Sequence, residues 1–357
     1  MFSIVVAGSL IASCGSKDDE RDNSGAITPI NSSTSFVTDS NVAEQSVQAN
    51  MDDALEALAD SSISTTTLGA ALLGNSSTTS MDKENIRKCE EVGQTAVVTV
   101  SRLLDRSRSL DLPRRTFTLT HEGENSLVRT WSNSSAAIVC NDAKKYAKID
   151  WDSQLTGLAL EAAFTRSLTI SGTVLNKKTN VTTTVSNSHS AEGKRNISWT
   201  AHTEDATAGT VTEEKTISSS VTRKHTVTNK KGETVNMQLT VATKDGSPLV
   251  VNAVHDKTTK ALKEKTIKSG VMVATRTGDG KMESTFDNFK LTFTAGSCSF
   301  AAGTVTVAIY KEGEATAAKT YKLEVSADGE TVLTDTATST AATDFNLSPC
   351  SMEEFNY

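Results

Sequence analysis

Residues Val235-Asn236-Met237-Gln238-Leu239-Thr240-Val241 alternate apolar and polar without a fault, as do Phe289-Lys290-Leu291-Thr292-Phe293, and Val305-Thr306-Val307-Ala308-Ile309 nearly so. A period of two puts one face of a strand on a core and the other in water, which a helix with its 3.6-residue period cannot do. Between such runs stand Asn176-Lys177-Lys178, Lys231-Gly232-Glu233, Lys244-Asp245-Gly246, Gly278-Asp279-Gly280 and Ala327-Asp328-Gly329. Asp-Gly and Gly-rich pairs supply the positive φ angles of tight hairpins, so the strands are predicted to follow one another as an antiparallel meander. Thr, Ser and Val recur, aromatic residues make up 5% and there are 4 prolines, a composition suited to strands with one wetted face. From Ser167 to Phe293 the turns are farther apart and the strands long, Thr-rich and half-apolar. The predicted fold class is mainly β: a large antiparallel, curved or barrel-like meander sheet with one or two N-terminal helices.

The helices are expected early in the chain. Asn41 with Glu44 makes a capping-type start, and Val47, Met51, Leu55 and Leu58 follow at helical spacing. A partner helix is expected over Asp82 to Glu90. Thr95 to Leu104 reads as strand through Val97, Val98 and Val100, or as helix through Leu103-Leu104. The predicted organisation is a mostly helical segment over 41–112, an antiparallel β domain over 113–294 and a C-terminal β subdomain over 295–357.

What precedes residue 41 has a different character. Phe2 to Ala12 is a run of apolar and small residues that gives way to Lys17-Asp18-Asp19-Glu20-Arg21-Asp22. The run is far shorter than the ~20 residues that span a bilayer and has the length of a secretory h-region. It ends in Leu10-Ile11-Ala12-Ser13-Cys14-Gly15, which resembles the lipobox of bacterial lipoproteins: an aliphatic residue, two small residues, then the cysteine. That resemblance implies a signal peptide over 1–13, cleavage before Cys14, and acyl chains on Cys14 that anchor the chain to a membrane. Gly15 in place of an Asp implies the outer membrane. No Lys or Arg precedes the run, so the positive n-region of such signals is expected upstream of Met1. Residues 14–40 hold the lipidated cysteine and a polar segment too poor in large apolar residues to offset its ordering entropy, and read as a flexible tether.

With Cys14 assigned to lipid, Cys89, Cys140, Cys298 and Cys350 remain, an even number that predicts two disulfides in an exported chain. Three connectivities are open, and locality favours Cys89 with Cys140 and Cys298 with Cys350. No C-x-x-C spacing points to a metal instead.

The formal charge is −7, and the basic doublets Lys144-Lys145, Lys177-Lys178 and Lys230-Lys231 are scattered, which argues against nucleic acid as a partner. His121, His189, His202, His225 and His255 form no H-E-x-x-H pair. His121-Glu122-Gly123-Glu124 reads as a turn, and His225 shares the alternation of Val221 and Val227 and reads as packed in a sheet. Gly278-Asp279-Gly280 reads as a hairpin rather than a dinucleotide loop, and Ser80-Met81-Asp82-Lys83 lacks the companion motifs of an S-x-x-K enzyme. Asp150, Asp152, Glu204-Asp205 and Glu213-Glu214 read as solvated charge. Trp131, Trp151 and Trp199 read as core. No catalytic residue, metal or cofactor is predicted. The expectation is a membrane-anchored exported lipoprotein with a non-catalytic β-rich ectodomain in a scaffold, surface or adhesion role. The alternative is a carrier of lipid or another hydrophobic ligand in a cavity between sheet and helices.

Overall fold

In the computed structural model the described residues are 51 and 83–341, apart from 112, 151–154, 229–233, 277, 295–296 and 327–328. They form β1 (Lys83–Val92), β2 (Thr95–Asp111), β3 (Arg115–Asn133), β4 (Val139–Cys140), β5 (Ala147–Lys148), β6 (Leu158–Asn176), β7 (Val181–Asp205) and β8 (Thr210–Thr228). There follow β9 (Thr234–Thr243), β10 (Leu249–Asp256), β11 (Leu262–Arg276), β12 (Gly280–Thr294), β13 (Ser297–Lys311), β14 (Lys319–Val325), β15 (Thr331–Asp335) and β16 (Thr340–Ala341). Fourteen strands make one antiparallel sheet in the order β1-β2-β3-β6-β7-β8-β10-β11-β12-β13-β14-β15-β16, with β9 also between β8 and β11, and β4 pairs β5 in a separate ribbon. The chain is thus mainly β and built on a large antiparallel meander. The strands after 295 continue the same sheet, since β13 pairs β12 from Thr294↔Ser297 to Gly280↔Lys311.

Alternation sorts the residues as the sequence pattern requires. β10 has every second residue buried, from Leu249 to His255. Across the sheet the same face carries Val98, Leu160, Ile197, Ile217, Val251 and Leu291, all within one buried cluster; this is the inner face. Each such side chain contributes about 1.5–3 kcal/mol when fully buried. Met51 is helical and fully buried in the same cluster; Val47, Leu55 and Leu58 lie outside the described residues.

Burial is not uniform along the long strands. β6 is buried at Leu158, Leu160 and Ala162 and nowhere from Ala163 to Asn176. β8 is buried at each odd position from Val211 to Val221 and at no described position beyond. The ends holding Leu158, Ile197 and Ile217 are the lower sheet, and those holding Val174, Thr183 and Thr226 the upper. The ladder runs through both without a break, as far as Asn176↔Val181 between β6 and β7.

The helix predicted over Asp82 to Glu90 is not formed. Lys83–Val92 is β1, the edge strand among the described residues, and Thr95 to Leu104 lies in β2, so 83–92 and 95–111 of the segment expected to be mostly helical are strand. Lys, Glu and Arg favour helices in isolation, but on an edge strand the same charges discourage pairing with another chain, while Cys89 turns inward at 2% exposure. The excursion between β3 and β6 folds back onto this edge. Cys140 is bonded to Cys89 with the Cα atoms 5.8 Å apart, the Cys89 N–H donates to the Lys144 carbonyl at 2.7 Å, and the Cys140 N–H donates to Glu91 Oε1 at 3.0 Å. Hydrogen bonds from Lys144 and from the Cys140 backbone hold the Glu91 carboxyl below its usual pKa. The bridge closes a loop with a separation of 51 residues, for which restriction of the unfolded chain is worth about 4 kcal/mol.

Lys244-Asp245-Gly246 does not join two paired strands. β9 and β10 both run antiparallel to β8, β9 along Ser220–Thr228 and β10 along Thr210–Ile217, so they occupy one slot end to end. The five residues between them bulge out through a bridge from Lys244 to Ser247. β11 makes room with Gly270, whose φ is +133° and where a Cβ would stand 2.6 Å from the Pro248 carbonyl oxygen. His121-Glu122-Gly123-Glu124, expected as a turn, continues β3 without interruption.

Candidate functional site

The lower inner face is not purely apolar. On β8 the alternation that buries Val211 and Ile217 also carries Glu213 and Lys215, at 0% and 1% exposure. Register sets Lys215 between Trp199 of β7 and Val251 of β10. It sets Glu213 against Ala253, and Ala253 against Lys265 of β11, so a small residue separates the two charged positions. His255 lies opposite Val211, diagonal to Glu213.

The side chains converge on the carboxylate. Lys215 Nζ is 2.8 Å from Glu213 Oε2, and Trp199 Nε1–H donates to that oxygen at 3.3 Å. His255 Nε2 stands 3.6 Å from Glu213 Oε1, and its Nδ1 is 3.3 Å from the Lys260 carbonyl oxygen. Lys215 Nζ also lies 5.2 Å from the centre of the Trp199 ring, which is 5.9 Å from that of Trp131.

Burial works to raise the Glu213 pKa, but the charges of Lys215 and His255 and the hydrogen bonds from Lys215 and Trp199 outweigh it, and the net shift is downward. Burial drives His255 down to about 4 against the opposing pull of Glu213, with Lys215 and Lys265 adding to the fall and the Lys260 carbonyl resisting it. The imidazole is therefore neutral at pH 7, with one proton for two facing acceptors. Burial also pushes Lys265 well below its usual pKa, reinforced by Lys215 and opposed by Glu213. Glu213, Lys215, His255 and Lys265 are each at most 7% exposed, so the cluster ties β7, β8, β10 and β11 together from within the core. Such a lock costs desolvation when it forms, and breaking one partner is more costly still.

The upper inner face is different. Leu168, Ile170 and Val174 of β6 continue the alternation of Leu158 and Leu160 but are only half-buried, and Val181 at the top of β7 is 55% exposed. The same ladder that seals the lower core leaves this apolar row accessible.

Of the residues singled out from the sequence, Cys89 and Cys140 form the expected bridge. Cys298 is disulfide-bonded, and its expected partner Cys350 lies outside the described residues, as do Cys14 and Trp151. Trp131 and Trp199 are brought together in the core. His189 of β7 is the ladder partner of His225 of β8, His121 lies on β3, and His202 is 3.9 Å from Glu204 across a part-exposed gap. Glu213 was expected to be solvated and is not, whereas Glu214 is, and pairs with Lys268 at 3.1 Å. The signal was present: Val211, Glu213, Lys215 and Ile217 share one alternation. Among the described residues no three His, Cys, Asp or Glu side chains are placed to hold a metal ion, and no helix is long and apolar enough to cross a membrane. No protein-family model, no curated protein and no solved structure matches the chain.

Proposed function

We propose that this is an exported lipoprotein of the bacterial envelope, anchored through acyl chains on Cys14 and resident at the outer membrane, that acts by binding rather than by catalysis. The observation that carries the binding role is the half-buried row Leu168, Ile170 and Val174, an apolar row of the inner face, which the described residues seal below and leave accessible above. Its binding surface is the upper inner face of the sheet, curved around its occupant in the manner of a partial barrel. The row favours a carrier of a hydrophobic or amphipathic ligand. The sealed electrostatic cluster beneath it supplies rigidity, and the Ser- and Thr-rich outer face suits the scaffold, surface or adhesion role that is the second reading.

The anchor and the ligand are tested on one preparation. Intact mass of protein from a bacterial host is expected to show loss of Met1 to Ser13 plus acyl chains, abolished by Cys14→Ser together with partition into detergent. Native mass spectrometry is expected to show co-purifying lipid beyond the covalent anchor. An uncleaved, unlipidated chain would contradict the envelope reading, and a bare mass would return the second reading to first place.

A further inference from the structure

The ladder from β2 to β9 is free of register shifts above Trp199, so alternation alone assigns every residue there to a face. The assignment places the arginines on the inner face and leaves Lys194 and Lys224 with the acids on the outer one. Arg129 of β3, Arg166 of β6, Arg195 of β7 and Arg223 of β8 all fall on the inner face, in the alternation of Leu127, Leu160, Ile197 and Val221. By register, positions 102, 106, 108 and 115, each an arginine, share that alternation. The acids do the opposite: Glu122, Glu124, Glu161 and Glu192 stand on the outer face and are exposed. On the inner alternation of β2, β3, β6, β9, β7 from Val181 to Trp199 and β8 from Lys215 upward, there is no Asp or Glu.

Within this face one arrangement repeats the chemistry of an anionic amphiphile. Arg166 pairs with Ala191 and Ala191 with Arg223, so two guanidinium groups flank a small residue in one row. Two inter-strand spacings put their backbones roughly 10 Å apart. Directly above on β6 come Leu168, Ile170 and Val174. Six residues of strand span about 20 Å, enough for an acyl chain from one leaflet, about 15 Å or half of a ~30 Å hydrocarbon core. Guanidinium groups bind phosphate oxygens in bidentate fashion, and a head group with no cation of its own leaves the phosphodiester charge for the arginines to neutralise, where a choline ammonium would be repelled by them.

We propose that the upper inner face binds an anionic glycerophospholipid, its phosphate between Arg166 and Arg223 and its acyl chains along Leu168, Ile170 and Val174. This rests on the carrier reading above and adds the sign and placement of the ligand's charge.

The test presents phosphatidylglycerol and phosphatidylcholine with identical acyl chains, in detergent micelles, to the full chain stripped of bound lipid. Occupancy is read by native mass spectrometry. Phosphatidylglycerol is expected to bind roughly tenfold more tightly, a difference of about 1.4 kcal/mol. R166Q/R223Q is expected to remove that preference, R166K/R223K to keep most of it, and the outer-face pair K194Q/K224Q to leave it unchanged. A melting curve accompanies each variant; should R166Q/R223Q fail to fold, the lysine pair and each single substitution decide. Equal binding of both lipids would overturn the charge assignment while leaving the carrier reading standing. Binding of neither would remove both. Capture of heparin through the same arginines, without lipid, would replace the lipid with a polyanionic partner.

Discussion

The two ends of β6 share a strand, neighbours and an unbroken hydrogen-bond ladder, yet Leu158 is 1% exposed while Leu168, Ile170 and Val174 are only half-buried. The difference lies in what faces the inner side. Below, the row runs on through Ile217, Val251, Ile267 and Leu291 into one packed cluster. Above, the inner alternation carries arginines among its apolar residues and meets no comparable packing among the described residues. Backbone pairing therefore sets the shape of both regions, while side-chain burial gives stability to only one. Regions with fewer buried contacts open locally at lower cost, and binding surfaces are drawn from them.

Substitutions separate the two regions, and the largest effect is expected in the cluster. Glu213→Gln leaves Lys215 buried beside a neutral amide and should cost about 3–5 kcal/mol. The exposed outer-face Glu192→Gln should change stability by less than about 0.5 kcal/mol. Denaturant titration of both checks this, and similar midpoints would dissolve the contrast.

Acid should act on the lower region next. His255 is held at about 4 in the folded chain, below its unfolded value of about 6.5. Its neutral form is thus the native one, and stability is complete above about pH 6.5 and is lost as pH falls toward 4, by about 3 kcal/mol. Glu213, whose pKa is also depressed, adds its own loss below its unfolded value. Melting temperature against pH should fall across this window in the wild type, and His255→Gln should flatten the portion above pH 4.5. An unchanged slope would show that His255 does not report the cluster.

Gly270→Ala sets a Cβ against the Pro248 carbonyl at a φ of +133° and should cost about 1–3 kcal/mol, read by the same titration. A neutral result would mean that the β9–β10 bulge relaxes freely. Leu168→Ala should be the mildest for folding, at about 1 kcal/mol or less, because a half-buried side chain has less to lose than the 2–5 kcal/mol of a sealed one. A cost as large as that of Leu160→Ala would show that the upper face is core.

Much of this was legible in the alternation. The meander, the alternating runs near Val235, Phe289 and Val305, the Cys89–Cys140 pairing and most turns follow from local chemistry. Three features did not, for physical reasons. β1 carries helix-forming charges at the edge of the sheet among the described residues, and an edge position is set by strand pairing rather than by local sequence. Lys244-Asp245-Gly246 has hairpin chemistry, but β8 and β11 are both long enough to pair with the strand before it and the strand after it, which makes it a bulge. Glu213 next to Glu214 looks solvated until each is assigned a side of the strand. The arginines hide in the same way: scattered in sequence, they share a face only once five strands are in register.

Hydrogen exchange of the full chain, with and without phosphatidylglycerol, tests the division of the sheet most directly. Amides of 167–176 and 182–190 should exchange faster than those of 211–217 and 249–253 in the free protein, and should slow on adding the lipid while the lower set stays unchanged. Uniform protection along the strands, or lipid protection confined to the lower sheet, would contradict it.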